Sequence, residues 1–167
     1  MLKTIKSSEA ELAVLLLRPA GLRDVPLIHR LLKFYSDREV LLPRSESDIY
    51  SSLRDFVVFY DREQDKIAGC ASLQIYSSDL GEVRSLAVDE EYRYRRLGSG
   101  LVTAIEDAAM HLGLRKMMAL TYEVKFFERS GYHVVEMSEL PEKVWGACVN
   151  CHKFRNCDEI AVLKYLD

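Results

Sequence analysis

The stretch Arg95-Arg96-Leu97-Gly98-Ser99-Gly100 carries the clearest chemical content in this chain. Upstream, Glu82 to Val88 (EVRSLAV) passes from polar alternation into an apolar end, the pattern of a central strand. Downstream, helical spacing runs from Ser99 through Leu101, Val102, Ile105, Ala108, Ala109 and Leu112 and stops at Gly113, a natural C-cap. A loop between a strand and a helix aims the first amides of the helix at whatever lies before them, which makes an anion site. Gly98 and Gly100 let a diphosphate approach the backbone, and Arg93, Arg95 and Arg96 add countercharge and bidentate donors. The ending is neither the Gly-Lys-Ser/Thr of a P-loop nor the G-x-G-x-x-G of a dinucleotide fold. On these residues alone, a solvated basic turn is an equal reading.

A second cluster, Cys148-x-x-Cys151 with Cys157 further on and His152 beside it, has three thiols and an imidazole, the donor set of a tetrahedral zinc. It is half of a full signature, because a second C-x-x-C is missing and His152 adjoins Cys151. Small buried thiols, or a redox-labile Cys148/Cys151 pair, are the other readings.

The elements that must hold these groups follow from the pattern. The chain has 167 residues, 49% hydrophobic and 29% charged, enough for one core without disulfides or structural metal. The balance of 23 Lys and Arg against 26 Asp and Glu gives no global reason to bind nucleic acid or an acidic membrane. No apolar window approaches a membrane span, and Ala13 to Leu17 is too short for a signal segment, so a cytoplasmic protein is expected. Residues 1–11 read as a polar tail and 12–167 as a single domain.

Strands are expected at Val14–Arg18, Phe56–Tyr60, Lys66–Ile75, Glu82–Val88, Lys116–Leu120, His133–Glu136 and Glu159–Leu166. Helices are expected from Val25 to about Ser36 with Asp24 as N-cap, from Ser45 to Leu53 with Ser45 and Asp48 as a capping box, from Ser99 to Leu112, and from Val124 to Ser130 ended by Gly131. The order predicts an α/β (α+β) fold, a mixed and mostly antiparallel sheet of six to seven strands flanked by about four helices.

With its position after Leu86-Ala-Val88 and before a long helix, the arginine loop resembles the R-x-x-G-x-G/A signature of the GCN5-related N-acetyltransferases (GNAT). Phe126-Phe-Glu-Arg-Ser-Gly-Tyr132 resembles that family's F-Y-E-K-x-G-F segment. Leu41-Leu-Pro-Arg-Ser45, Arg54-Asp-Phe-Val57, Ile67-Ala-Gly-Cys-Ala71, Glu82 to Val88 and Ala119-Leu-Thr121 resemble, more narrowly, the catalytic domain of amino-acid N-acetyltransferases of the N-acetylglutamate synthase kind. The resemblance implies a short form without the amino-acid-kinase domain fused to many relatives.

It also implies acetyl-CoA as donor, held by Leu86, Ala87 and Val88 and by Arg93, Arg95, Arg96, Leu97, Gly98, Ser99 and Gly100. Glu82 is implied as the base that takes a proton from the substrate ammonium, with an exposed strand-end carboxylate as its bland alternative. The family's usual acid is a tyrosine where this chain has Phe127, which leaves Thr121 and its neighbour Tyr122, or no acid at all. Arg44 resembles the subgroup's carboxylate-binding arginine, Arg155 lies near a second one, and Arg84 and Lys125 are further cations for the same task. The expected reaction is acetylation of the α-amino group of glutamate first and glutamine next, the entry to arginine biosynthesis. A transferase for another amine or a protein N-terminus, and a non-catalytic CoA sensor, are the rivals. A homodimer is compatible with this reading.

Overall fold

The computed structural model describes residues 14–93, 95–151 and 157–167. The expected tail at 1–11, together with Arg155 and His152, lies outside the described residues.

Seven strands, β1 (Leu15–Pro19), β2 (Phe56–Asp61), β3 (Lys66–Ile75), β4 (Leu80–Val88), β5 (Lys116–Thr121), β6 (His133–Val134) and β7 (Ile160–Tyr165), form one mixed sheet in the order β1-β2-β3-β4-β5-β7-β6. Five helices accompany them among the described residues: α1 (Val25–Ser36), α2 (Glu46–Ser51), α3 (Leu97–His111), α4 (Val124–Arg129) and α5 (Pro141–Gly146). The pairs β1/β2, β2/β3, β5/β7 and β6/β7 are antiparallel. β4 and β5 are parallel, and α3 is the crossover that a parallel pair requires.

The chain packs as two compact units, one of residues up to Ser72 with Ser85–Ala104, the other of Leu73–Arg84 with Ile105–Asp167. In the first, the α1 stripe Val25, Ile28, Leu31 and Leu32 is buried with Ile49, Phe56, Val58, Ile67, Cys70 and Ala87. The spacing of those four α1 residues, three and four apart, places them on one face of the helix. In the second unit Leu80, Met118, Leu140, Ala161 and Leu163 form the core.

Local chemistry explains most boundaries. Ser45 Oγ accepts from Asp48 N–H and Asp48 accepts from Ser45 N–H, the reciprocal pair expected at the start of α2. Gly113 and Gly131 take φ of +90° and +92°, the left-handed turns that stop α3 and α4. Five expectations need correction. β4 begins at Leu80 rather than Glu82, and β6 holds only His133 and Val134. α3 begins at Leu97, so Gly98, Ser99 and Gly100 lie in its first turn. α5 was not anticipated, although Pro141 at its first position is a start signal.

Asp24 is the fifth. It makes no side-chain cap to α1; its carboxylate accepts Arg18 Nη1 at 2.6 Å and Nη2 at 3.0 Å, and Gly21 N–H at 2.7 Å. Burial alone would raise its pKa, but the Arg18 hydrogen bonds, the Gly21 amide and the Arg18 charge outweigh it and hold the carboxyl below the usual range. A depressed carboxyl stabilises the fold above its unfolded pKa and loses that contribution as pH falls through the folded one. Asp24→Asn is therefore expected to cost about 2 kcal/mol at neutral pH. The gap between variant and wild type in urea melts should shrink as pH drops from about 6 to about 3; a gap independent of pH would contradict this.

Candidate functional site

β4 follows an irregular course. Its ladder to β5 pairs Leu80, Gly81 and Glu82 with Lys116, Met117 and Met118. Three residues past Glu82, Ser85 takes φ +51°, a left-handed conformation that a residue with a Cβ adopts only where its surroundings hold it there. Two contacts do so: Cys70 Sγ donates to the Ser85 carbonyl at 3.4 Å, and Arg44 Nη1 donates to Ser85 Oγ at 3.1 Å. Burial pushes the Cys70 thiol up to about 12, against the pull of Arg44, so it remains a protonated donor.

Arg44 sits just before the N-cap of α2. Its Nη2 donates to Ser52 Oγ at 2.8 Å, and its guanidinium lies 5.2 Å from the centre of the Phe56 ring. Nearby, burial raises the Asp55 carboxyl while Arg44 pulls it back. At the end of β4 the Val88 carbonyl accepts the Tyr35 hydroxyl from α1.

The basic loop is anchored from below. Tyr92, 2% exposed, donates to Asp61 Oδ2. The other oxygen of Asp61 accepts the amides of Glu63 and Gln64, both at 2.9 Å. Burial opposes ionisation of Asp61, but the Tyr92 hydroxyl, these amides and Lys66 overcome it and keep the carboxyl low. The Arg95 guanidinium rests 5.2 Å from the centre of the Tyr92 ring. Arg93, Arg95 and Arg96 are exposed, Arg93 with Glu90 Oε1 at 3.4 Å, and Leu97 is buried beneath them. Arg96 turns the chain into α3 with φ +59°, and Gly100 N–H reaches the Arg96 carbonyl at 3.2 Å. Helix geometry leaves the amides of Leu97, Gly98 and Ser99 without an intrahelical acceptor. Together with three exposed guanidinium groups, this donor set suits a diphosphate. Gly100 has a second reason to be glycine, because a Cβ there would lie 3.1 Å from the Phe59 ring.

In the other unit Glu82 is buried at 4% exposure, so the exposed strand-end carboxylate is ruled out. Its Oε2 accepts Lys143 Nζ at 2.8 Å and the Tyr76 hydroxyl at 2.6 Å, and Lys143 Nζ also reaches Tyr76 Oη at 2.8 Å. Arg84 Nε lies 3.7 Å from the same oxygen. Burial, then the Glu82 charge, drives the Tyr76 phenol far above its ordinary range, so it is a donor at any working pH.

A family model for the acetyltransferase (GNAT) family matches residues 27–132. The chain belongs to the GNAT acetyltransferase family. This acetyltransferase is 38% identical over 149 residues to an uncharacterised N-acetyltransferase of Chlorobaculum tepidum, a match spanning 89% of this chain and 95% of that one. It is 30% identical over 151 residues to the amino-acid acetyltransferase of Mycobacterium tuberculosis, spanning 90% and 83%. Against the longer amino-acid acetyltransferase of Pasteurella multocida it is 30% identical over 129 residues, 76% of this chain but 29% of that protein. A Mycobacterium tuberculosis protein crystallised with CoA superposes with a TM-score of 0.78 at 26% identity, covering 91% of this chain and 99% of its own. N-acetylglutamate synthase from Neisseria gonorrhoeae, complexed with coenzyme A and N-acetyl-glutamate, superposes with a TM-score of 0.80 at 23% identity, covering 92% of this chain and 35% of its own, a likeness of fold. The protein is thus an acetyl-CoA-dependent N-acetyltransferase, related to amino-acid acetyltransferases.

The remaining candidates of this acetyltransferase fall as follows. Thr121 is buried and its Oγ1 accepts Glu123 N–H at 2.8 Å, a backbone role that still leaves its own proton to give. Tyr122 is exposed and donates to Asp158 Oδ1 at 2.6 Å. Phe127 is buried edge-on to Tyr132, with ring centres 5.1 Å apart. Lys125 is exposed on α4, and Arg84 faces Glu82. Cys148 is buried, Cys151 partly buried and Cys157 exposed, all as free thiols. Among the described residues no group of three His, Cys, Asp or Glu side chains is placed to hold a metal ion. No helix among them is long and apolar enough to cross a membrane. Lys143 and Tyr76 escaped the sequence reading because nothing local ties either of them to Glu82.

Proposed function

We propose that the protein acetylates the α-amino group of a small amino acid, glutamate first and glutamine next, and so stands at the entry to arginine biosynthesis. The observation that carries this reading is the buried carboxylate of Glu82 on β4, paired with Lys143 of α5. A substrate ammonium must lose a proton before its nitrogen can attack, and Glu82 takes that proton directly or through one water. The nitrogen then bonds to the thioester carbonyl carbon, and the charge that builds on the carbonyl oxygen is met by backbone amides of Leu86–Val88. The carbonyl re-forms, the carbon–sulfur bond breaks, the nitrogen gives up its second proton to water, and the thiolate leaves with a proton from Thr121 or Tyr122 or takes one from water. The basic loop and the first turn of α3 hold the diphosphate. Arg44 takes the substrate carboxylate in its planar fork, with Arg84, Lys125 and Arg155 as further cations for it.

Two of the relatives are amino-acid acetyltransferases, which supports this substrate class over a protein or polyamine. Thiol release from acetyl-CoA over a panel of amino acids, N-terminal peptides and polyamines tests it. Turnover is expected with glutamate or glutamine, and turnover only with peptides or polyamines would overturn the assignment.

A further inference from the structure

Lys143 lies on α5, 61 residues from Glu82, and its side chain is 6% exposed. An ammonium ion removed from water this far is costly unless something specific repays it, and a carboxylate of similar burial does so here. The pair is more than a structural tie, because its geometry is one-sided. Lys143 Nζ, the Tyr76 hydroxyl and the Arg84 guanidinium all converge on Oε2 of Glu82. Lys143 also donates to Tyr76 Oη, so the three side chains close a ring of hydrogen bonds. The Lys143 ammonium lies 5.0 Å from the centre of the Tyr76 ring as well, which fixes its position further.

We propose that Lys143, with Tyr76, is a positioning residue for Glu82: the ring occupies Oε2 and holds the carboxylate plane, leaving Oε1 as the oxygen that receives the substrate's proton. This rests on the reading of Glu82 as the base. The Lys143 ammonium offsets part of the cost of burying a charged carboxylate beside it, so its removal leaves Glu82 without that compensation. The groups facing Glu82 are Tyr76, Arg84 and Lys143, with the Cys148 thiol close enough to feel both Glu82 and Lys143. Burial raises that thiol, so it contributes no competing charge near neutrality.

The test is the pH dependence of kcat/KM for the fastest amino acid of the panel, at saturating acetyl-CoA, with CoA affinity measured in parallel by calorimetry. Lys143→Met is expected to move the acid-side limb up by about 1–3 pH units, to lower kcat well beyond any change in CoA affinity, and to be rescued in large part by Lys143→Arg. Tyr76→Phe, which removes one hydrogen bond and no charge, should move the limb in the same direction by less. If Lys143→Met fails to fold, shown by loss of CoA binding, the comparison of Lys143→Arg with Tyr76→Phe decides: both limbs at the wild-type position would overturn the proposal. Glu82→Gln separates the two levels. If it keeps the wild-type acid limb, the reading of Glu82 as base fails. If it loses that limb while Lys143→Met keeps it in place, only the role of Lys143 fails.

Discussion

Glu82→Gln is expected to lower kcat by about 10²–10⁴, the range over which a positioned base contributes, while CoA affinity stays within a small factor of wild type. The amide keeps the shape and can still accept from Tyr76, but it cannot take a proton from the substrate ammonium. The same change leaves the buried Lys143 ammonium without its counter-charge, and breaking such a pair from one side costs about 3–5 kcal/mol. Lost rate must therefore be separated from lost fold. Glu82→Gln combined with Lys143→Met removes both charges, so it should regain part of the stability without regaining any rate. Thermal melts and steady-state rates on the three variants check this. Recovery of rate in the double variant would mean that Glu82 acts on stability alone, and loss of CoA binding in Glu82→Gln would place it outside the chemical step.

What could be read from the chain alone depended on how far apart the cooperating groups stand. The α2 capping box needs only Ser45 and Asp48, three residues apart, and it forms as expected. The α1 stripe and the C-cap glycines 113 and 131 are also local patterns and hold in the structure. The arginine turn into α3 was legible because strand, turn and helix follow one another closely, although the helix begins at Leu97, two residues earlier than expected. Asp24 misled because a cap and an ion pair draw on the same carboxylate, and Arg18, six residues back, offered the stronger partner. Ser85 was invisible, since a left-handed kink usually shows itself as glycine or asparagine, and here Arg44 and Cys70 enforce it on a serine from 41 and 15 residues away. Lys143 stood 61 and 67 residues from its partners, on a helix of six residues too short to display a period. Its identity as lysine would ordinarily mean a solvated surface cation.

Arg44→Ala is expected to raise the KM for the amino acid by roughly 10–100-fold, the worth of one charge-assisted hydrogen-bonding partner, and to change that for acetyl-CoA by far less. The guanidinium is pre-positioned: two serine hydroxyls and the Phe56 ring fix its plane, so little ordering remains to be done when a carboxylate arrives. Because Arg44 also steadies the strained Ser85, its loss acts in two ways, through the missing charge and through β4. Ser85→Ala deletes the shared contact while keeping the cation, and Arg44→Lys keeps the charge while losing the fork. If carboxylate binding is the larger part, Ser85→Ala is nearly silent on the amino-acid KM and Arg44→Lys falls between wild type and Arg44→Ala. If the kink is the larger part, Ser85→Ala reproduces Arg44→Ala, and KM for both substrates rises together. Steady-state kinetics with each substrate varied in turn distinguishes the two, and equal effects on both would move Arg44 from the substrate site to the scaffold of β4.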